Sequence, residues 1–408
     1  MSFLEFLLSI LYISKIVTVA TLYFVSLWSL LIVLNFRKNQ AEGTDFPQIS
    51  LMSYAWQSGN VIERKILNFL NQDYPRDKME IIVYDNHSSD ETEEICRKYE
   101  RNGLVKYFRS EKHFEFKAPV LDKAIAEAAT GEFILFTDPD GVCEHDWARK
   151  MVRPFRNNKV GAVVGAIHCG NYFKNLFTRF RAIEDEWATN IVIFGRTGRV
   201  RLSRFNLISG ANYALRRAAW ETVGRSHGTS IVEDIEMTTR LYNENWLIEA
   251  ADANIWQEEV DDPREYLRQR RRWYQFNTGR LIGKTNRTEH FMGLLPLTLQ
   301  SSTFFSFVYV CYLAILASLY GVQSVTDWGR FLTLIPFVIG NVTMILGLKK
   351  VNKSRFIPYV LPYFILDGAL QLYSFVEARM RCAFGRYSGW PLLAEGKYYH
   401  SGIPIRTD

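Results

Sequence analysis

"FILFTDPDGV", residues 133–142, places two carboxylates directly after a run of apolar residues. The four residues at its start predict a buried strand. Asp138 and Asp140 follow, separated by Pro139, which cannot continue a central strand. Because residues two apart in an extended segment point to the same side, we expect both carboxylates to hold one divalent cation. Pro, Asp and Gly are also common turn residues, so a plain turn is the alternative.

The surrounding sequence alternates between strand-like and helix-like segments. Strands are predicted at 47–54, 79–85, 104–110 and 132–138, and helices at 60–72, 89–100 and 118–130. This alternation predicts an α/β fold with a mostly parallel sheet covered on both faces. In open α/β sheets, ligands bind beyond the carboxyl ends of the strands. Asp85 and Asp138 both stand at such ends, so we expect the functional site there.

The composition is that of a globular protein with a mild excess of positive charge. The chain has 408 residues, 48% of them hydrophobic, and a formal net charge of +6. The arginines cluster beside aromatic and apolar segments, and no nucleic-acid-binding module is recognisable, so we expect no nucleic-acid partner. The five cysteines form no CxxC motif, which indicates free thiols in a reducing compartment.

Long uncharged segments flank the alternating region. Residues 16–34 carry no charge, and a helix of that length spans roughly 30 Å of hydrocarbon. Arg37 and Lys38 follow at once, which places the next part of the chain in the cytoplasm by the positive-inside rule. Further apolar runs occupy 292–318, 331–348 and 356–376. We therefore expect an integral protein of the cell membrane that contacts membrane lipid and keeps its polar domain in the cytoplasm.

These runs divide the chain into four parts. We expect an N-terminal transmembrane segment at 1–36, a polar domain at 46–285, transmembrane or interfacial helices at 286–378 and a tail at 379–408. The last apolar run contains Asp367, and an acid inside a membrane is costly and often functional. A helix that lies in the interface, or that turns this acid toward its neighbours, is the alternative, and the number of C-terminal crossings stays open.

Three further motifs accompany the first. They are "VYDNHSSDET" at 83–92, "VEDIEMTTRLY" at 232–242 and "LRQRRRWYQFNTGR" at 267–280. An Asp after an early strand, a DxD, an acidic pair and QxxRW, in this order, resemble the membrane-integrated family 2 glycosyltransferases of the GT-A fold. The flanking apolar runs resemble those of the processive members, such as chitin-oligosaccharide, poly-N-acetylglucosamine, hyaluronan and cellulose synthases. The resemblance covers about residues 46–285.

The resemblance implies an inverting glycosyltransferase that uses a nucleotide-diphosphate sugar, in particular a UDP-sugar. It would extend a polysaccharide at the cytoplasmic face of the membrane. The implied roles are a catalytic base at Asp234, donor contacts at Asp85, Lys117, Asp138 and Arg272, acceptor contacts at Glu233, Gln269 and Trp273, and an Mg²⁺ or Mn²⁺ ion on Asp138 and Asp140.

Each implied role matches the chemistry of its side chain. A carboxylate can take the proton of the attacking hydroxyl, a metal ion acts as a Lewis acid on the leaving diphosphate, and an arginine binds phosphate with two prongs. An indole ring can lie against the apolar face of a sugar. The alternatives are that Glu233 and Asp234 only begin a helix and that Trp273 only anchors the chain at a membrane interface.

Two positions depart from the family pattern. The first strand is followed by Trp56 and Gln57 where the family has a Pro-x-x-Asn-Glu pattern, and Asp122 stands where Asn is usual. Two other functions remain open at this point. One is the transfer of a single sugar, without processivity, to a membrane lipid. The other is a membrane receptor or channel with a degenerate nucleotide-binding domain.

Overall fold

The computed structural model describes most of the polar domain and parts of the flanking segments. The described residues are 20, 22–38, 45–114, 117–203, 206–224, 233–274, 318–319, 334–384, 402 and 404–407. The predicted apolar run at 292–318 lies outside them except for its last residue, and so does most of the predicted tail.

The core of the described chain is one eight-stranded sheet. Its strands are β1 (Ile49–Ala55), β2 (Met79–Asp85), β3 (Lys106–Arg109), β4 (Phe133–Thr137), β5 (Val142–Cys143), β6 (Val160–Cys169), β7 (Asn212–Arg216) and β8 (Leu247–Gln257). The order across the sheet is β3-β2-β1-β4-β7-β6-β8-β5. The first four strands confirm the sequence prediction, because each forms where its apolar run predicted it.

The sheet is mostly parallel, as predicted: six of its eight strands run the same way, and only β7 and β5 run the opposite way. Strands β3, β2, β1 and β4 run parallel, as the alternation with helices requires. Strand β7 then enters antiparallel between β4 and β6, and β5 pairs antiparallel with β8. Strands β6 and β8 are parallel to each other. The sequence alternation predicted only the first half, because β7 pairs with strands that are distant in the chain.

Helices cover the two faces of the sheet and extend beyond it. They are α1 (Leu22–Asn35), α2 (Gly59–Leu70), α3 (Thr92–Arg101), α4 (Lys117–Glu127), α5 (Trp147–Val152), α6 (Leu176–Asp185), α7 (Val192–Thr197), α8 (Arg217–Val223), α9 (Glu233–Asn243), α10 (Pro263–Tyr274), α11 (Leu334–Lys350), α12 (Val360–Pro362) and α13 (Gly368–Ala383). A π-helical segment, Glu186–Ile191, joins α6 to α7, and Asn175 caps α6 by accepting from the backbone N–H of Thr178.

A third apolar core, in addition to two that involve the sheet, joins the flanking helices to the sheet domain. It contains Val25 and Val33 of α1, Phe180 of α6, Met344 of α11 and Tyr363 beyond α12. These helices therefore pack against the α6–α7 region. The approach of α1 to α7 requires a glycine at 195, because a Cβ there would lie 2.4 Å from Ile32 Cγ2 and 2.5 Å from its carbonyl oxygen.

The C-terminal apolar segments are helical where they are described. Among the described residues, one helical run, Ser354–Ala378, is long and apolar enough to cross a membrane. It continues through both of its prolines by changing helix type: Pro358 lies in a 3₁₀ segment, Ser354–Tyr359, and Pro362 is followed by a π-helical segment, Tyr363–Asp367. Asp367 is 1% exposed and faces its neighbours. This favours the interpretation that the helix turns the acid toward the rest of the protein.

Candidate active site

Four of the predicted site residues meet beyond the carboxyl end of β4. They are Lys117 at the start of α4, Asp138 after β4, and Glu233 and Asp234 in the first turn of α9. With Arg272 of α10 they form what we call the strand-end cluster. The sheet order places β1 and β4 side by side here, while β7 runs the opposite way. The cluster therefore lies where the parallel half of the sheet ends, as expected for an α/β site.

Lys117 is the cation at the centre of the cluster. Its Nζ lies 2.6 Å from Asp138 Oδ1 and 3.8 Å from Glu233 Oε1, and it donates to the Gly210 carbonyl oxygen at 3.4 Å. The side chain is nearly buried. Burial opposes its charge, but Asp138 and Glu233 outweigh burial and raise the pKa of Lys117. The lysine is therefore held charged between the acids of α9 and the strand end.

Asp234 is oriented by backbone donors. Its Oδ2 accepts from Gly210 N at 2.9 Å, and its Oδ1 accepts from Ile235 N at 2.8 Å. Burial raises the pKa of Asp234, while these two donors and the charges of Lys117 and Arg272 oppose the rise. Donors on both oxygens thus hold the carboxylate in one orientation, and its raised pKa makes it a better proton acceptor than an exposed aspartate.

Glu233 is the more perturbed acid of the pair. Burial and the neighbouring charge of Asp234 raise its pKa to about 7, although Lys117 and Arg272 oppose this. The side chain keeps 15% of its surface exposed. Like charges in adjacent positions do not both ionise easily, so burial and the charge of Asp234 keep Glu233 protonated up to about pH 7.

Asp140 is held by the segment that follows β8. It is 3% exposed, and its Oδ2 accepts from Glu258 N at 2.9 Å. Residues 138–141 form a turn, in which Gly141 N donates to the Asp138 carbonyl oxygen at 3.1 Å. The segment is therefore not extended, and the expectation that alternation aims both carboxylates at one point does not hold.

The donor set suits a metal ion only in part. Within the described residues, no group of three or more His, Cys, Asp or Glu side chains could hold an ion by itself. Asp138 keeps 31% of its side-chain surface exposed. Mg²⁺ commonly uses one or two carboxylates and completes its shell with water and substrate phosphates. Asp138 and Asp140 fit that type of site, in which the substrate itself supplies ligands.

Lys65 is a buried cation that the sequence interpretation overlooked. It is 1% exposed, and its Nζ lies 3.3 Å from Thr137 Oγ1. Burial lowers its pKa, whereas Asp140 and Asp138 act in the opposite direction. The signal was visible in the sequence, because Lys65 lies four residues from both Val61 and Phe69 on the buried side of α2. It adds positive charge beneath the DPDG turn.

Asp85 lies at the end of β2, as predicted, but it is 0% exposed. Its Oδ1 accepts from the backbone and the hydroxyl of Ser88 at 3.0 and 2.5 Å, and its Oδ2 accepts from Tyr107 Oη at 2.7 Å. Arg109 Nε is 3.6 Å from the same Oδ2. In this arrangement Asp85 organises the loop after β2, and its contact with a nucleotide stays a prediction.

The departures from the family pattern occupy defined places. Gln57 adopts a left-handed φ of 49°, and its Oε1 accepts from Ser89 N at 2.7 Å. The Trp56 ring lies 4.8 Å from the ring of His113. Asp122 accepts from Trp220 Nε1 at 3.1 Å, so it joins α4 to α8. Gln57 and Trp56 thus shape the loop after β1 next to the cluster.

The three arginines of the QRRRW stretch have three different environments. Arg272 is half-buried and close enough to lower the pKa of Glu233 and Asp234. Arg271 pairs with Glu377 of α13 at 3.1 Å. Arg270 is 2% exposed and belongs to the interior. One helix therefore faces the cluster, the C-terminal helix and the protein core at the same time.

The other two residues of the motif lie on the inner side of α10. Gln269 Oε1 is buried, and no described group donates a hydrogen bond to it. The guanidinium carbon of Arg270 lies 4.4 Å from the centre of the Trp273 ring, and that of Arg181 lies 5.7 Å from it. The indole of Trp273 is therefore held by cation–π contacts from two buried arginines.

Sequence reasoning missed a second charged group behind α10, which we call the buried network. Its members are Arg181, Glu184, Asp185, Glu259, Arg270 and Asp367. Arg181 contacts Glu184, Asp185 and Glu259, and Arg270 contacts Glu184. The segment "RAIEDE" at 181–186 carried the only sequence signal, a dense charge run inside an apolar helix.

Comparison with known proteins identifies the class. Residues 53–224 match the family model for glycosyl transferase family 2. A probable glycosyltransferase, YdaM, of Bacillus subtilis (strain 168) is 31% identical over 249 residues, which are 59% of this chain and 57% of that protein. Residues 53–224 thus resemble a family 2 glycosyltransferase domain, and the similarity supports the predicted enzyme class, a glycosyltransferase.

Two more relatives differ in the products that their names state. The beta-monoglucosyldiacylglycerol synthase of Trichormus variabilis is 27% identical over 56% of this chain and 48% of its own length. The poly-beta-1,6-N-acetyl-D-glucosamine synthase of Staphylococcus epidermidis is 27% identical over 52% of this chain and 48% of its own length. The chain spans about half the length of these curated relatives.

A solved structure supports the fold. The mannosyltransferase PcManGT of Pyrobaculum calidifontis, in complex with GDP-Man and Mn²⁺, superimposes with a TM-score of 0.55 at 18% identity. The match covers 91% of this chain and 98% of that one. This structural match confirms the predicted GT-A-like α/β fold.

Proposed function

We propose that the protein is an inverting glycosyltransferase that moves a sugar from a nucleotide-diphosphate donor, in particular a UDP-sugar, to a growing polysaccharide. It would act at the cytoplasmic face of a cell membrane that its apolar helices enter. The observation that carries this proposal is the strand-end cluster, which places one oriented acid beside two cations.

The reaction is a single displacement at the anomeric carbon. The acceptor hydroxyl attacks C1 of the donor sugar, the bond from C1 to the diphosphate oxygen breaks, and Asp234 takes the hydroxyl proton. The backbone donors from Gly210 and Ile235 keep that carboxylate in place. General base catalysis of this kind contributes roughly 100- to 10,000-fold to the rate.

Two cations face the position where charge develops on the leaving diphosphate. Lys117 is buried, charged and next to Asp138, and Arg272 approaches from α10. Both would bind the diphosphate as its negative charge grows. A divalent ion held by Asp138 and Asp140 would supply Lewis-acid stabilisation when bound.

The acceptor would lie against α10. Trp273 is fixed by the arginines behind it, and Gln269 and Glu233 would contribute polar contacts. Helix α10 packs along the apolar C-terminal helix through Arg271 and Glu377. This arrangement suits an acceptor that approaches from the membrane side, whether it is a polymer or a lipid.

Transfer of one sugar to a membrane lipid is the second candidate. It is favoured by the similarity to a glucosyldiacylglycerol synthase, which is as close as the similarity to the polymer synthase. The two candidates share the donor chemistry and differ only in the acceptor.

The test uses the full chain in membranes with a panel of UDP- and GDP-sugars and Mg²⁺ or Mn²⁺. Mass spectrometry of the released nucleotide identifies the donor, and a radiolabelled donor followed by a sizing gel identifies the product. We expect a ladder of polymer lengths. A single labelled glycolipid would instead support the lipid acceptor, and no nucleotide release from any donor would contradict the enzyme proposal. Chelation by EDTA should abolish transfer, and added Mg²⁺ or Mn²⁺ should restore it.

A further inference from the structure

We propose that Glu184 is a positioning residue for the acceptor platform: it fixes Arg270, and Arg270 fixes the ring of Trp273. The inference rests on the proposed function, because it assigns Trp273 to the acceptor. Glu184 lies in α6, 89 positions before Trp273 in the chain, and it belongs to none of the four sequence motifs.

The salt bridge between Glu184 and Arg270 is bidentate. Arg270 Nη1 donates to Glu184 Oε1 at 2.7 Å, and Arg270 Nη2 donates to Glu184 Oε2 at 2.5 Å. Paired parallel hydrogen bonds of this kind fix the plane of the guanidinium as well as its position. Arg270 is 2% exposed, so solvent has little access to these donors.

The fixed guanidinium in turn contacts two aromatic rings of the same helix. Its carbon lies 4.4 Å from the centre of the Trp273 ring and 4.7 Å from that of Tyr266. Tyr266 is itself held by a hydrogen bond from its hydroxyl to Asp367. A planar cation between two rings restricts how each can turn. The orientation of the indole therefore depends on Glu184 through Arg270.

Arg181 supplies a second attachment of the same kind. It contacts Glu184 directly, its Nε donates to Glu259 Oε2 at 2.7 Å, and its guanidinium faces the Trp273 ring at 5.7 Å. Glu259 follows Glu258, whose backbone N–H holds Asp140. The buried network thus ends on one side at the acceptor platform and on the other beside the predicted metal ligand.

A purely structural explanation accounts poorly for so many buried charges. Replacing a buried ion pair by apolar residues of similar volume is often neutral or stabilising. The network also contains more acids than arginines. What an apolar interior could not provide is a directional hold on one indole ring.

The experiment is a double-mutant cycle in the full chain, in membranes. The variants are Glu184→Gln, Trp273→Ala and both together. Acceptor KM, donor hydrolysis to water and thermal stability are measured with the donor that is active in the wild type. The acceptor probes are the disaccharide of the transferred sugar and diacylglycerol vesicles. Glu377→Gln is the matched control, because it removes the acid partner of Arg271 in the same helix.

We expect Glu184→Gln to raise acceptor KM by roughly 10- to 100-fold through misplacement of the ring, while donor hydrolysis stays near the wild-type rate. The increase should disappear in the Trp273→Ala background, whereas any loss of thermal stability should remain. Glu377→Gln should leave acceptor KM unchanged.

A second variant, Arg270→Lys, tests the inference in case Glu184→Gln fails to fold. Arg270→Lys keeps the charge but loses the fork and the planar contact with Trp273, so acceptor KM should rise again. An increase that persists in the Trp273→Ala background, or an unchanged acceptor KM in both variants, would overturn the inference. Absence of sugar transfer by the wild type would contradict the proposed function instead, so the two failures are distinguishable.

Discussion

The strand-end cluster and the buried network use the same side chains in opposite ways. In the cluster, three acids share one lysine and one half-buried arginine, and part of the Asp138 and Glu233 surface is exposed. In the network, two arginines are almost completely buried and paired with acids. Side chains that a substrate can reach can do chemistry, whereas the enclosed ones can only hold other groups in place. The comparison separates catalytic candidates from positioning candidates by access and not by residue type.

The QRRRW stretch shows the same contrast within three residues. Arg270 enters the network, Arg271 pairs with α13, and Arg272 faces the cluster. Successive helical residues point about 100° apart, so one turn reaches all three environments. Substitutions at these positions should therefore have different consequences, although the residue is the same.

The largest expected effect is that of Asp234→Asn. Removing the proposed base should lower transfer by roughly 100- to 10,000-fold and leave binding of the nucleotide nearly unchanged. Steady-state transfer and nucleotide affinity, measured by calorimetry, test this. The matched change in the network, Asp185→Asn, should alter thermal stability more than rate. If Asp234→Asn retains most of the wild-type rate, Asp234 is not the base. The strand-end cluster would then have no catalytic role that distinguishes it from the buried network.

The next effect distinguishes two adjacent arginines. Arg272→Ala removes a cation that we assign to the leaving diphosphate, and we expect transfer to fall on the order of 100-fold. Arg271→Ala breaks only the pair with Glu377 and should change transfer by less than about threefold. Both rates are measured with saturating acceptor. If Arg272→Ala and Arg271→Ala lower the transfer rate equally, Arg272 does not bind the leaving diphosphate.

The sequence predicted the half of the fold that is built from local patterns. Strands β1 to β4 and helices α2 to α4 form close to the predicted positions, because their apolar residues repeat at strand or helix spacing. The antiparallel insertion of β7 between β4 and β6 has no local signal, since strand pairing is decided between distant segments. The alternation therefore predicted a mostly parallel sheet correctly, but it did not predict the reversed strand β7.

The site divides in a similar way. Resemblance to a family placed Lys117, Glu233 and Asp234 together, and the structure brings them together beside Asp138. It could not show that Asp85 is fully enclosed by Ser88, Tyr107 and Arg109, because their contacts depend on the packing of β2 against β3 and α3. The buried network was missed for the same reason, because its members come from α6, α10, the end of β8 and the C-terminal helix.

A smaller effect concerns product length. Trp273→Ala removes the proposed platform, so elongation should shorten or stop while donor hydrolysis to water continues largely intact. The tryptophan is held from behind by Arg270, so its loss should affect the acceptor more than the donor. Sizing of radiolabelled product and nucleotide release measure the two outcomes. If Trp273→Ala still makes full-length polymer, Trp273 does not bind the acceptor, and its role as a membrane-interface anchor is favoured instead.

The smallest effect is a pH dependence that belongs to Glu233. Its pKa is raised to about 7, so the side chain is neutral below that pH and gains a negative charge as the pH rises through it. The added charge lies 3.8 Å from Lys117 and competes for the cation that we assign to the diphosphate. Donor KM should therefore increase, by roughly threefold to tenfold, between about pH 6 and pH 8. In Glu233→Gln the group stays neutral, so donor KM should remain nearly constant over the same range. A wild-type donor KM that does not change with pH, or the same rise in Glu233→Gln, would show that the charge on Glu233 does not control donor binding.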